Sequence, residues 1–312
     1  MYNEISRAEI LFREAGQMTH LHTSPIENGL IFMDRQDYVM VTNWIAISAA
    51  KVGCRILAYA LMSNHFHFII EGPRDAVIAF FEDLMARMKR YYIRHRKSTE
   101  IIDAIIPGMT PISDLRQLRN EIAYVIRNPF VVREDVNPLA YEWCTGYLYF
   151  NPLLDTSGVP VSELKGRALR SFTKSRQENM LDLGITIKDG MANPASFVDY
   201  RRAMDFFDNA RQFVMWVFKN VEGQVETALK LGELPHLNDE ELLSLSFKLC
   251  RSMFKAPSIR DLPLEKKKAL ALKLKNEYGA SNGQVARCTN LSLAIVNAMF
   301  PMAVKQGCRQ RI

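Results

Sequence analysis

CRILAYALMSNHFHFIIEG, residues 54–72, is the stretch on which the fold turns. Residues 54–61 and 64–71 read as two short apolar strands, and residues 17–24 upstream read as another. Between the first and second strands, Asp34 can cap a helix running to about Lys51. Tyr38, Val41, Trp44, Ile45 and Ile47 lie on its apolar side, and Gly53 ends it. Strand, helix, strand, strand is the opening of a ferredoxin-like α+β domain with an antiparallel sheet. After Pro73 a long helix is expected over 75–97, because Val77, Phe81, Leu84, Met88, Tyr91 and Tyr92 recur at helical spacing as one buried stripe. Residues 106–111 read as a loop. A further helix starts at Ser113, a good cap, and stops at Asn128, since Pro129 disfavours helical geometry in the residue before it.

Composition sets the outer bounds. The chain has 312 residues, 48% of them hydrophobic and 10% aromatic, with 15 Gly and 13 Pro, which excludes disordered, collagen-like and low-complexity classes. Its longest uncharged apolar stretches, 38–50 and 56–70, are shorter than the roughly 18 residues that suggest a membrane-spanning helix. The N-terminal MYNEISRAEILFREAG has no apolar signal core. A cytoplasmic protein with no membrane partner is expected. Cys54, Cys144, Cys250, Cys288 and Cys308 are odd in number, scattered and without a CxxC pair, so they are expected to be reduced and buried. The 40 Lys+Arg against 34 Asp+Glu give +6 and a pI near 9.0, which permits a polyanion partner without demanding one.

Beyond residue 150 the character changes. Residues 151–192 are sprinkled with Gly, Ser and Asp and read as a connecting segment; 193–258 read as a helical domain, with 197–218 dense in aromatics. The last stretch, 259–312, carries a sharper pattern. Pro263 opens a helix with Leu270, Leu274 and Tyr278 that ends at Gly279. Ser281 caps a short helix, a turn over 288–291 follows, and Ser292 caps a last helix with Leu293, Val296 and Phe300, stopped by Pro301. This is helix-turn-helix spacing, with Gln284, Ser292 and Asn297 as candidate contacts to a DNA groove or phosphates. An ordinary helical hairpin has the same spacing.

Four of the six histidines form two H-x-H pairs, His20-Leu21-His22 and His65-Phe66-His67. In a strand, both histidines of such a pair point to one face and can share a metal. The second pair lies in a buried central strand that holds ligands rigidly, whereas the first looks like an exposed edge. On the helix over 113–128, Leu115, Leu118, Ile122 and Ile126 form the stripe expected to face the sheet. Gln117, Asn120, Glu121, Tyr124 and Asn128 fall on the other side. Tyr124 and Asn128 are i, i+4 neighbours, so a phenol stands beside a metal-capable amide oxygen. Tyr91 and Tyr92 are rival phenols that packing explains. On the long helix Arg87, Arg90, Arg94 and Lys97 form a basic stripe, with Lys89 and Arg96 nearby and no acid between Met88 and Ser98. Such a stripe suits phosphate tracking as well as a solvated face.

LAYALMSNHFHFIIEG, the basic helix ending in RYYIRH, and then AYVIRNPFVV and VNPLAYEWCTGY together resemble the REP-associated tyrosine transposases, within the HUH-type single-tyrosine transposases. The similarity covers about residues 15–150, with a less specific likeness of the C-terminal half to helical extensions ending in a helix-turn-helix. The stretch STEIIDAIIPGMTPISD departs from the pattern, lacking the Trp/Arg/Phe-containing segment that many relatives carry there. The resemblance implies an HUH catalytic domain over 1–150. It makes His65 and His67 the metal pair, Tyr124 the nucleophile, and Asn128 or Glu121 the third ligand, with Asn128 favoured. It implies Mg²⁺ or Mn²⁺ as cofactor and single-stranded or hairpin DNA as substrate, contacted by Arg87, Lys89, Arg90, Arg94 and Lys97. It leaves open whether the chain works as a homodimer. The reaction implied is metal-dependent cleavage and rejoining of DNA through a 5′-phosphotyrosine link. A catalytically inactive or domesticated regulator that binds DNA through its helix-turn-helix is the alternative. A plain α+β scaffold stabilised by a metal at His65 and His67 is the third reading.

Overall fold

In the computed structural model the chain opens with α1 (Arg7–Glu14), β1 (Met18–Thr23), α2 (Arg35–Val52), β2 (Arg55–Met62), β3 (His65–Glu71), α3 (Arg74–His95), α4 (Glu100–Asp103), β4 (Pro107–Ile112) and α5 (Leu115–Val132). The structure describes residues 6–26, 29–132, 137–174, 184–219, 221–235, 237 and 239–301. Local chemistry accounts for the element boundaries. The Asp34 side chain accepts from the Asp37 amide at the start of α2, and Gly53, at φ 72°, takes the left-handed conformation that stops it.

The four strands form one antiparallel sheet in the order β2-β3-β1-β4. β1 therefore lies inside the sheet, with all six residues buried, and not at the exposed edge expected for the His20/His22 pair. The cause is β4, which reads as a loop because its sequence is PGMTPI. Proline cannot donate to a ladder, so such a strand is tolerated only at an edge, where β4 sits and covers β1.

Register and pleat divide the sheet into two faces. Leu21 pairs with Phe68 and His22 with His67. Leu21, Phe66, Phe68 and Ile70 fall on the face covered by α3, where Phe68 meets Phe80 edge-to-face at 5.3 Å between ring centres and α2 packs beside it. Trp44, Phe66, Phe68 and Phe80 are almost fully buried there, each contributing roughly 1.5–3 kcal/mol over an exposed side chain. The four histidines of the two pairs fall on the opposite face, under α5.

The outer edge of β2 is closed by later chain. Leu61 N donates to the Trp143 carbonyl, Tyr59 N to Thr145 Oγ1, and Asp199 N to the Ile56 carbonyl. This is where the residues 137–150 and 198–199 are spent: they satisfy a strand edge that would otherwise be sticky.

α5 departs from expectation at both ends. Asp114, not Ser113, accepts from the Gln117 amide at 2.7 Å, and the helix continues through Pro129 to Val132. Pro129 frees the carbonyl of Val125 four residues earlier. The Cys144 thiol lies 3.9 Å from that oxygen and 3.7 Å from the Ile126 oxygen, supplying a weak donor where the proline has none.

The chain divides into two compact units, 1–227 and 228–312, where four segments were expected. Residues 151–192, expected as a connection, carry β5 (Val159–Pro160), α6 (Gly166–Thr173), β6 (Thr186–Lys188) and β7 (Met191–Ala192), whose strands form a small sheet in the order β5-β6-β7. Strands of two or three residues show no alternation, which is why the sequence reads as loop. α7 (Pro194–Phe197), α8 (Tyr200–Asp205), α9 (Ala210–Lys219) and α10 (Val221–Leu231) follow. Up to residue 227 this stretch belongs to the first unit: Ala192 N donates to Asn43 Oδ1 at 2.7 Å, Arg202 pairs with Glu71, and Phe213 stacks on Tyr149 at 5.1 Å.

The second unit contains α11 (Asp239–Phe254), α12 (Leu264–Tyr278), α13 (Asn282–Thr289) and α14 (Leu293–Met299), built around Leu270, Leu274, Val285, Cys288 and Val296. Gly279, at φ 63°, ends α12; Ser281 and Gln284 form a reciprocal capping box on α13; Asn290, at φ 55°, turns the chain; and Ser292 caps α14. Among the described residues no helix is long and apolar enough to cross a membrane. Cys54, Cys144, Cys250 and Cys288 are free and buried, and Cys308 lies outside the described residues.

Candidate active site

The histidine face of the sheet and one side of α5 meet in a buried polar cluster. His65 and His67 stand two residues apart on β3 with ring centres 5.0 Å apart, and His22 of β1 stacks on His67 at 6.1 Å with planes 13° apart. His20, the other member of the β1 pair, places Nε2 3.1 Å from His67 Nδ1. α5 crosses above and contributes Glu121, Tyr124 and Asn128 at helical spacing, so all three descend on the same histidines. Glu121 Oε2 is 2.5 Å from His20 Nδ1, the Tyr124 ring lies 5.7 Å from that of His67 and 6.3 Å from that of His20, and Asn128 Nδ2 is 3.2 Å from His67 Nε2. His20, His67 and Glu121 are fully buried, and Tyr124 is 8% exposed.

The side of α5 that meets the histidines is the one expected to point away from the sheet. Leu118, Ile122 and Ile126 are equally buried, because α5 lies between the sheet and α9. A helix covered on both sides has no solvent face to orient it, and its polar residues turn to the sheet because the sheet presents imidazoles there. Gln117 belongs to the same side, its Nε2 2.6 Å from Glu121 Oε1, and Asn120 is buried.

Sequence reasoning undervalued His20 and His22 and did not register Gly108. A Cβ on Gly108 would lie 2.3 Å from His22 Nε2, so β4 passes His22 only because it carries no side chain there. The signal available was the duplicated H-x-H pattern. What it lacked was the register that brings His22 opposite His67.

The other candidates are placed elsewhere. Tyr91 lies on the α3 side of the sheet against Trp44, and burial pushes its phenol up to about 12. Arg87 departs from the expected stripe: it is 4% exposed and paired with Asp83 at 2.7 Å, off the exposed face of α3. Lys89 pairs with Asp103 at 2.6 Å, while Arg90, Arg94 and Lys97 are exposed. Because α3 covers the opposite face from α5, this stripe and Tyr124 are not brought together. In the second unit Gln284 Nε2 donates to the Leu237 carbonyl, Ser292 Oγ accepts from the Ile295 amide, and Asn297 Oδ1 accepts from Asn282. All three side chains expected to contact DNA there make internal hydrogen bonds.

Among the described residues no three His, Cys, Asp or Glu side chains form an ion cage. The expected ligand set is different, two imidazoles and an amide oxygen, and its donors suit a divalent ion. Turning the Asn128 amide over exchanges Nδ2 for Oδ1 at 3.2 Å from His67 Nε2. Two ligand atoms each about 2.1 Å from one ion lie roughly 3 Å apart.

No family model and no curated protein matches this chain. A solved structure of a REP-associated tyrosine transposase bound to a REP hairpin is similar over 43% of this chain and 79% of that one, at 13% identity and a TM-score of 0.36.

Proposed function

We propose that the first unit is an HUH-type single-tyrosine nuclease and strand transferase acting on single-stranded or hairpin-flanked DNA, with Tyr124 as nucleophile. The carrying observation is the convergence on one buried histidine pair of a phenol and an amide one helical turn apart: Tyr124 packs against His67, and Asn128 sits 3.2 Å from its Nε2. The β-α-β-β-α-β run with sheet order β2-β3-β1-β4 supports the ferredoxin-like framework such a site needs. Capped helices α13 and α14, joined through Asn290, support a helix-turn-helix in the second unit.

His65, His67 and Asn128 would hold Mg²⁺ or Mn²⁺, and the chemistry such an ion would supply there is withdrawal of charge from the scissile phosphate and from the departing 3′ oxygen. Tyr124 Oη bonds to phosphorus as the bond from phosphorus to the 3′ oxygen breaks; the phenol loses a proton and the departing oxygen gains one. The products are a 5′-phosphotyrosine and a free 3′-OH. Another 3′-OH attacking the same phosphorus restores the phenol and joins strands, so no ATP is required.

The test is a labelled hairpin oligonucleotide incubated with Mg²⁺ or Mn²⁺ and resolved on a denaturing gel. A covalent adduct is expected from the parent and none from Tyr124→Phe. Equal adduct from the two proteins removes Tyr124 from the role. Salt-sensitive binding without any adduct leaves a DNA-binding regulator instead.

A further inference from the structure

The hydrogen-bond run does not stop at the proposed ligands. Behind His67 lies His20, behind His20 lies Glu121, and behind Glu121 lies Gln117. The orientation of the last group is fixed from outside. Gln117 Nε2 donates to the Pro111 carbonyl at 3.0 Å, and its Oε1 accepts from Ser113 N and Oγ, both at 3.0 Å. Its amide therefore presents N–H to Glu121 Oε1. An ionised carboxylate only accepts, so Glu121 Oε2 obliges His20 to carry its hydrogen on Nδ1. A neutral His20 then offers a bare Nε2, and His67 must donate to it from Nδ1. What remains on His67 is an Nε2 lone pair, facing Asn128.

We propose that Glu121 and His20 are positioning residues that lock His67 in the Nδ1–H tautomer, so that its Nε2 is bare and aimed for a divalent ion. This rests on the reading of His67 as a ligand, and it places Glu121 behind the ligands and not among them. Ligating histidines commonly donate their second nitrogen to a carboxylate or carbonyl, which fixes the ring and raises its basicity. Here the carboxylate acts through a second imidazole. Burial gives the relay its force: His20 and Glu121 are fully buried and His67 with them, so the choice of tautomer is made by protein groups.

The relay has a built-in reversal. A glutamine at 121 cannot point its N–H groups at the N–H of Gln117, so it turns its oxygen there and its Nε2 toward His20 Nδ1. His20 must then carry hydrogen on Nε2, His67 must accept at Nδ1, and the hydrogen of His67 moves to Nε2, where an ion would bind.

Long-range ¹H–¹⁵N correlation of the imidazoles in the metal-free parent reads the tautomers directly. Hydrogen on Nδ1 is expected for both His20 and His67; hydrogen on His67 Nε2, or on both nitrogens of either ring, overturns the proposal. In Glu121→Gln both tautomers are expected to reverse, and Mn²⁺ affinity followed by electron paramagnetic resonance is expected to fall about 10- to 100-fold. A folded Glu121→Gln protein that keeps the parent tautomers and binds Mn²⁺ as tightly also overturns it. Should that variant fail to fold, the parent spectrum alone decides. Locked tautomers in a protein that forms no DNA adduct would sink the nuclease reading and leave the relay standing.

Discussion

His22 leaves no room for a side chain on the strand beside it. Its ring lies over Gly108 and stacks on His67, so a single methyl group at 108 has to displace a member of the cluster. Overpacking of this kind costs about 1–3 kcal/mol. Gly108→Ala is expected to lower the melting temperature modestly and to weaken Mn²⁺ binding and adduct formation together, because the ring it moves is the one stacked on His67. Parent-like Mn²⁺ affinity in a purified Gly108→Ala protein would show that His22 does not brace His67. At this scale the chemistry-bearing residue types were legible in the sequence, since an H-x-H pair must share a face in any strand. The partnership of the two pairs was not, because it depends on register, and nothing in residues 18–23 alone says which residue of 65–71 lies opposite.

Among the elements, α2 and α3 are tied by one carboxylate. Asp83 receives hydrogen bonds from Ser48, Lys51 and Arg87 at 2.7, 2.8 and 2.7 Å. Burial alone would raise its pKa, but the bonds from Lys51, Arg87 and Ser48 outweigh that and hold the carboxyl down to about 2. Because its folded value lies below the unfolded value of about 3.9, the contribution is complete above about pH 4 and is lost as pH falls toward 2. It amounts to about 2 kcal/mol, with the Asp83 side chain only 17% exposed. Urea unfolding of Asp83→Asn is expected to show that loss at neutral pH and a flatter stability profile between about pH 4 and 2. A profile parallel to the parent's would place the acid sensitivity elsewhere. α3, with one wet side, follows from its periodicity, and α2, buried all round over 39–49, follows from its Asp34 and Gly53 caps. α5 and β4 do not, for opposite reasons. α5 is covered on both sides and bridges its proline with a thiol from Cys144, a residue distant in sequence; β4 is a strand of prolines and glycine whose pairing is decided by β1.

At the scale of the molecule, the resemblance read in the sequence ends near residue 150, whereas the first compact unit continues to 227. The difference is physical. β2 would lose the cover of Asp199 on Ile56, Glu71 its partner Arg202, and Tyr149 the Phe213 ring stacked on it. α5, which carries Tyr124, would lose α9 from its outer side and the contact from Arg119 to the Phe206 carbonyl at 2.6 Å. A fragment ending at 151 therefore uncovers the Ile56 end of the β2 edge and the back of the helix that carries the proposed nucleophile. Ending at Gly232 instead, where the backbone turns left-handed after α10, keeps every one of these contacts. The longer fragment is expected to melt in one cooperative transition and to retain the parent's Mn²⁺ affinity, while the shorter one is expected to bind 1-anilinonaphthalene-8-sulfonate and precipitate. A fragment 1–151 that melts cooperatively and binds Mn²⁺ like the parent would make residues 152–227 an accessory, and the support they lend to α5 would lose its meaning.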